Sequence, residues 1–526
     1  MLLTINIVLD TVTSDYLNNL DVSNGIDSDL IEAELLEQIC LKFDIENGVR
    51  PKGDKWSKPR VLPNFCIAKI LLFLYPIKKL VMENSFELVI YQYFGENQGL
   101  YVSDNLYLSS LIRCYNKRIS QKDITEVISI LMEDADTCEV NTNPDLIAVN
   151  NGIFDYKNKE LRSFTADMVF ISKSHVDYNP NAQNITIHND EDGTDWDVES
   201  WLNDLSDDAE IVNLIWQVLG AIIRPHVPWG KAICMYSTRG NNGKGTLCEL
   251  MRNLCGNNSY ASISFGAFAD RFSLQQLMYI SAIITDENDV RAFNKAASAL
   301  KAVITGDCLS IDRKFKEPIT IRFHGLMVQC VNDYPKFLDK SESLYRRFLM
   351  IPFLKCFTGQ ERKYIKSDYL HRPDVLEYVL YKTLNMNYYE FIEPAACKSL
   401  LDEYKIFNDP IRQFIDEVLP LCVWDLLPFG FLYELYKAWF KKNSPSGEVK
   451  GKNVFIKDIQ DVLIDNPIWQ IKKDSPMPTR HYMDKPEPLI LEYDLNDWKN
   501  PVYRGINPDK ICSPKLKGSY KGLLRN

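Results

Sequence analysis

Ser237–Leu247 reads STRGNNGKGTL. It follows the apolar run Ala232–Tyr236 without a break and leads into Leu247–Leu254, whose apolar spacing predicts a helix. A strand, a glycine-rich turn, a lysine and a helix start form a cradle for phosphate. Glycine lets backbone N–H groups converge, the helix end favours negative charge, and Lys244 can reach β- and γ-phosphates. On this reading Gly240, Asn241, Asn242, Gly243, Lys244, Gly245, Thr246 and Leu247 hold a nucleoside triphosphate. Two positions depart from the strict pattern. Thr238 stands where glycine is expected, and Gly245 rather than Ser or Thr follows the lysine. Thr246 is then the candidate hydroxyl for Mg²⁺, directly or through water. The plain alternative is a glycine-rich surface turn.

Outward from this loop, residues Lys231 to Phe353 alternate short apolar runs with helical segments, which predicts an α/β sheet. YISAIITDEND delivers Asp286 and Glu287 to the end of an apolar strand, where one carboxylate holds a metal shell and the next polarises water. The strand Gly325–Val331 ends at Asn332, an amide placed to orient that water. SESLYRRFLMIPF brings Arg346 and Arg347 to the start of a further strand. An arginine on that side of a sheet reaches a neighbour's nucleotide rather than its own, which implies a ring; Arg347, abutting the strand, is the first choice. Taken singly, the same residues also read as an acidic loop, an Asn-Asp turn and a surface arginine pair.

The 526 residues are 46% hydrophobic and 25% charged, a globular balance that excludes a largely disordered chain. Sixty Lys and Arg stand against 71 Asp and Glu, for a net charge of −11, so any nucleic-acid site must be local. The 13 cysteines show no zinc-finger spacing, the closest being Cys248 and Cys255, and fit a reducing compartment. The start lacks the basic region of a secretory signal, and the most apolar stretch, Phe65–Tyr75, is too short to span a bilayer and carries Lys69. A cytoplasmic protein is expected. Residues 1–50 and 190–210 are acidic; Trp498–Asn526 holds seven Lys and Arg against Asp509 alone.

In this order the motifs resemble the superfamily 3 helicases, above all the helicase half of phage, plasmid and poxvirus primase-helicases. Four segments carry the likeness: NPDLIAVNNGIFDY (143–156) with HVDYNP (175–180), GNNGKGTL (240–247), KAVITGDCLSIDRKFKEPITIRF (301–323), and VNDYPKF (331–337) with YRRFLMIPF (345–353). The resemblance spans roughly residues 86–480. It implies a multidomain α/β chain whose central AAA+ phosphate-loop sheet carries helices on both faces. The expected domains are an acidic helical region of unknown role (1–85), a helicase-associated mixed α/β domain (86–225), the ATPase motor (226–400), a winged-helix domain (405–480) and a basic tail (481–526). No primase activity is expected, because Asp27-Ser28-Asp29 lies in no convincing strand.

The implied activity is ATP- and Mg²⁺-dependent translocation on single-stranded DNA by a hexameric ring that unwinds forked DNA for a virus or mobile element. Thr246 and Asp286 would organise the metal. The segment Ile311–Arg322 forms a hairpin whose Arg313, Lys314 and Lys316 neutralise phosphates while Phe315 stacks. The implied winged helix contacts duplex DNA through residues including Lys472 and Lys473, or else binds protein. Expected partners are further copies of the chain and the element's or host's primase, polymerase and single-strand-binding protein, with no membrane. The alternative within this class is an initiator that melts an origin without processive unwinding. Outside it stand a phosphate-loop small-molecule kinase and a non-catalytic structural ATPase.

Overall fold

The computed structural model describes residues 3–23, 25–288, 297–314, 316–337, 339–443, 449–464 and 466–526. The chain divides into two units. One comprises Met1–Asp333 with Arg347–Pro394; the other comprises Tyr334–Arg346 with Ala395–Asn526.

In the first unit, helices Ile5–Asn18, Ser28–Gly48, Asn64–Leu74, Asn105–Tyr115 and Gln121–Asp134 share one apolar core running from Val8 to Ala135. The boundary expected at residue 85 therefore cuts through a continuous core. Polar side chains set the helix starts: Thr4, Asp27, Asp104 and Ser120 each accept a first-turn N–H. Asp27 is thus a cap, and Asp29 pairs with Lys117 at 2.7 Å. Strand Ile77–Val81 pairs antiparallel with Phe86–Tyr91 and parallel with Thr137–Cys138. The segment NPDLIAVNNGIFDY folds as the hairpin Leu146–Val149 with Gly152–Asp155. The acidic stretch after residue 189 is spent on a turn and on two caps, Asp197 and Asp208, of helices Val198–Asp204 and Ala209–Ala221.

The expected α/β sheet is present, with five strands, all parallel. Across it lie Tyr260–Ala261, Ala282–Thr285, Leu326–Val331, Ala232–Tyr236 and Phe348–Pro352. These strands are buried runs of Ala, Ile, Val, Leu and Met, as a sheet covered on both faces requires. Parallel strands place their carboxyl ends on one edge, and ligands of open α/β sheets bind outside that edge. The residues following Tyr236, Thr285 and Val331 therefore meet there. Strands Cys308–Arg313 and Lys316–Arg322 form the expected antiparallel hairpin.

The second unit has helices Ala395–Asn408 and Pro410–Val418, then strand Leu426–Pro428, helices Phe429–Asn443 and Lys452–Val462, and strands Trp469–Pro478 and Ser519–Arg525. The last strand lies between the other two. The stretch expected as a basic tail is thus folded: its alternation carries Leu523 into the core, where it is fully buried. Tyr436 and Trp439 pack with Phe414 and Phe455, so they serve the core. Among the described residues no helix is long and apolar enough to cross a membrane.

Candidate active site and nucleic-acid surfaces

The turn between strand Ala232–Tyr236 and helix Lys244–Cys255 wraps tightly enough to need unusual backbone. Gly243 caps the helix at φ +85°, and a side chain there would stand 2.5 Å from Leu205 Cδ2. Asn241 is also left-handed, at φ +52°, which asparagine tolerates. Asn242 fixes the turn from within: its Oδ1 accepts from Lys244 N at 3.2 Å and its Nδ2 donates to Arg239 O. A second loop holds the turn from outside. Phe357 N donates to Asn241 O at 2.7 Å, and Asn241 Nδ2 reaches Glu361 Oε1 at 2.8 Å.

Lys244 is 4% exposed, and its Nζ donates to Asn332 Oδ1 at 3.1 Å. Burial pulls its ammonium below the usual lysine range. Two of the residues singled out in the sequence are therefore in direct contact, one from each of two adjacent strands' ends. Lys244, Cys248 and Arg252 recur every fourth residue, on one helix face. Arg252 is ion-paired with Asp286, and Cys248 Sγ lies 3.4 Å from Cys330 Sγ. The Cys248, Cys330 and Asp286 ligand atoms all lie within 4.8 Å of one another. The bond to Cys330, with burial, holds the Cys248 thiol well above the ordinary cysteine range. Glu287 is exposed beside them. Asn288 braces the loop: its Nδ2 donates to Gln329 Oε1 at 3.0 Å and its Oδ1 accepts from Phe265 N at 2.9 Å. The sequence reading missed Arg252, the two thiols and Asn288; the four-residue spacing from Lys244 was the available signal for Cys248 and Arg252.

Thr246 does not join Asp286. Because Gly245 takes the position after the lysine, Thr246 is rotated to the face it shares with Gly243 and Glu249. There it lines a cavity of about 840 Å³ with Trp196, Trp201, Phe357 and His371. The Asp286 carboxylate suits a hydrated Mg²⁺ that arrives with phosphates, whereas the two thiols do not.

Arg347 precedes its strand, and Phe348 is in register with Ala232. It therefore lies at the amino-terminal edge of the sheet, about 17 Å of strand away from the phosphate turn. Arg347 is half-buried and Arg346 is exposed.

On the hairpin, Arg313 is a correction to the expected free base. Its side chain is 13% exposed, with Nη1 3.5 Å from Glu87 Oε2 and Nε donating to Glu317 O. The turn between strands Ile77–Val81 and Phe86–Tyr91 grips the hairpin again, through Glu83 on Arg322 and Asn84 Oδ1 accepting from Thr320 N at 2.9 Å. Lys314 is exposed; Phe315 lies outside the described residues, as does the side chain of Lys316. In the second unit Lys473 is exposed and Lys472 half-buried opposite Gly522.

Three family models match the chain: D5 N terminal like over residues 76–207, a family of unknown function (DUF5906) over 235–347, and Poxvirus D5 protein-like over 407–500. The relationship to D5-like primase-helicases expected from the sequence is shown by the two D5 matches, which flank the phosphate turn. Among solved structures, the apo A form of the NrS-1 C terminal region aligns with TM-score 0.45 and 13% identity over 88% of this chain and 100% of that one. A second apo structure of that region gives 0.42 and 12% over 80% and 97%, and another A form 0.43 and 14% over 87% and 98%.

Proposed function

We propose that the chain is a replication-associated ATPase of the D5-like group, acting as a superfamily 3 DNA helicase. The observation that carries this is the buried Lys244 ammonium held against Asn332 at the carboxyl edge of the parallel sheet, directly after a left-handed glycine turn. The γ-phosphate becomes a further partner of the lysine, and Asn332 then orients the attacking water. Mg²⁺, when bound with the nucleotide, screens phosphate charge; Asp286 holds its water shell, and Thr246 acts through water. Glu287, exposed and next in sequence, accepts the proton of the attacking water. The base and ribose occupy the aromatic cavity beside Thr246.

The amino-edge position of Arg347 supports an arginine, from this pair, that serves a neighbouring subunit in an AAA+ ring, expected to be a hexamer. The basic hairpin faces the single strand inside it. The order helix, strand, helix, helix, strand, strand in the second unit, with the last strand central, supports a winged helix. Primase, polymerase and single-strand-binding protein are the proposed further partners, and the cytoplasm of a host cell the proposed compartment. The test is strand separation: the purified chain should unwind a forked duplex with MgATP, and Lys244→Ala should abolish both unwinding and hydrolysis. Wild-type protein that hydrolyses no ATP with forked DNA present ends this reading.

A further inference from the structure

The residues between strands Trp469–Pro478 and Ser519–Arg525 are a built element rather than a loose connection. Glu487 is fully buried, and its Oε2 accepts from Val423 N at 2.8 Å and Trp424 N at 2.9 Å. Trp424 Nε1 donates to Lys485 O at 2.7 Å, and Asp425 N donates to Tyr482 O at 2.8 Å. The insertion is thereby stitched to the start of strand Leu426–Pro428. Farther along it, Asn500 N donates to Ile511 O at 2.9 Å and closes the segment between them into a compact loop.

That loop walls a cavity of about 600 Å³, with Lys499, Tyr503, Arg504 and Lys515 on its lining and Asp497 as the one acid there. Lys499 is paired with Asp494. Among the described residues Arg504 and Lys515 have no carboxylate partner, so their charge is uncompensated. On either side of Arg504 two apolar side chains stand in solvent, Val502 at 80% exposure and Ile506 at 96%. Together with the cation they make a small surface that is apolar and basic at once. Tyr503 is not a stacking platform: Asn507 N donates to its hydroxyl at 3.3 Å, and Lys510 Nζ stands 5.6 Å from its ring centre. A single-stranded ligand, which needs open aromatic faces, is therefore disfavoured. An arginine between exposed apolar residues, above a basic cavity, suits the minor groove of duplex DNA, where arginine follows the electrostatic potential and apolar side chains press on the base steps.

We infer that the Lys499–Lys515 loop of the second unit is a duplex-DNA site, separate from the hairpin and from Lys472 and Lys473. In it Arg504 and Lys515 neutralise phosphates or enter the groove, and Val502 and Ile506 seat against the sugar and base edges. The inference rests on the DNA-binding part of the reading above. It gives a net acidic chain a second, local basic surface.

The experiment is fluorescence anisotropy of the full chain on a labelled blunt duplex and on a labelled single strand of equal length, across a salt series. Arg504→Ala with Lys515→Ala should weaken duplex binding about tenfold at low salt and reduce the slope of log K against log salt by about 2, since each phosphate contact contributes about 0.9. Single-strand binding should change less than twofold. Arg504→Lys with Lys515 intact should restore most of the slope, and Val502→Ser with Ile506→Ser should weaken the duplex alone. An unchanged melting midpoint shows that these variants fold. The control is Lys398→Ala with Lys441→Ala, two exposed bases of the same unit. Equal loss in the control, loss on the single strand alone, or a wild-type slope in the Arg504/Lys515 variant overturns the site. Wild-type protein that binds neither DNA removes the helicase reading as well, which separates the two failures.

Discussion

The Arg313 guanidinium stands 3.5 Å from the Glu87 carboxylate, with both side chains almost out of solvent. A base expected to meet DNA is thus already matched by an acid from the neighbouring small sheet, and Glu83 matches Arg322 in the same way. DNA phosphate has to compete with these carboxylates. Glu87→Gln should therefore raise single-strand affinity about three- to tenfold at low salt, with the gain vanishing at high salt. Anisotropy titrations at two salt concentrations read this; equal affinities at low salt would show that Arg313 takes no part in binding.

Lys244 and Asn332 should separate kinetically. Lys244→Ala should lower ATP turnover more than ~100-fold, and Asn332→Ala about 10- to 100-fold through kcat with KM little changed, because the amide acts on the attacking water rather than on bound nucleotide. Steady-state phosphate release gives both constants. A pure KM effect for Asn332→Ala would reduce it to a partner that positions the lysine.

Exposure favours Arg346 over Arg347 as the arginine serving the adjacent subunit. Neither Lys244→Ala nor Arg346→Ala should hydrolyse ATP alone. An equal mixture should regain about a quarter of the wild-type rate, because about one interface in four then pairs an intact loop with an intact arginine. Arg347→Ala in the same mixing assay decides between the pair, and native mass spectrometry confirms that the subunits mix.

Cys356 is an exposed thiol whose Sγ lies 3.1 Å from Thr358 Oγ1 and 3.6 Å from the Gly240 carbonyl of the phosphate turn. Hydrogen bonds with Thr358, and further the Arg239 charge, hold its pKa below the usual cysteine range. Iodoacetamide should label it ahead of Cys114 and Cys308, with a half-rate pH below that of a free thiol, and ATP should slow the labelling. Peptide mass spectrometry of timed reactions measures this.

His226 packs on His324 with ring centres 4.9 Å apart. Burial, then the charge of His324, pushes His226 down to about 4. The unfolded chain takes up that proton near pH 6.5, whereas the folded chain refuses it until about 4. Stability is therefore full above pH 6.5 and falls as pH drops through this window, by on the order of 2–3 kcal/mol. Melting midpoints between pH 7.5 and 4.5 should show the fall, and His226→Asn, which tolerates the left-handed backbone at φ +71°, should flatten it.

The five-stranded sheet was legible because its strands are buried runs and its turns are punctuated by glycine: STRGNNGKGTL announces itself within eleven residues. The hairpin over Ile311–Arg322 was legible for similar local reasons. What the sequence concealed is long-range. Nothing near Arg313 says that Glu87 will neutralise it, and nothing in SYKGLLR says that it will be the middle strand of a sheet whose other members begin at Leu426 and Trp469. The core joining Val8 to Ala135 crosses the acidic opening and the hairpin, which differ in composition and so read as separate domains.

The excursion Tyr334–Arg346 makes the second unit discontinuous in the chain. Asn408 Nδ2 donates to Tyr345 Oη at 3.1 Å, and Tyr404 Oη donates to Pro335 O at 2.7 Å. A fragment begun at Ala395 would leave both groups, and the aromatic surface under Tyr345, facing water. Dissecting this protein by cutting before Ala395 would thus yield an insoluble or refolded piece, and the second unit has to be studied either whole-length or with residues 334–346 grafted back through an engineered linker.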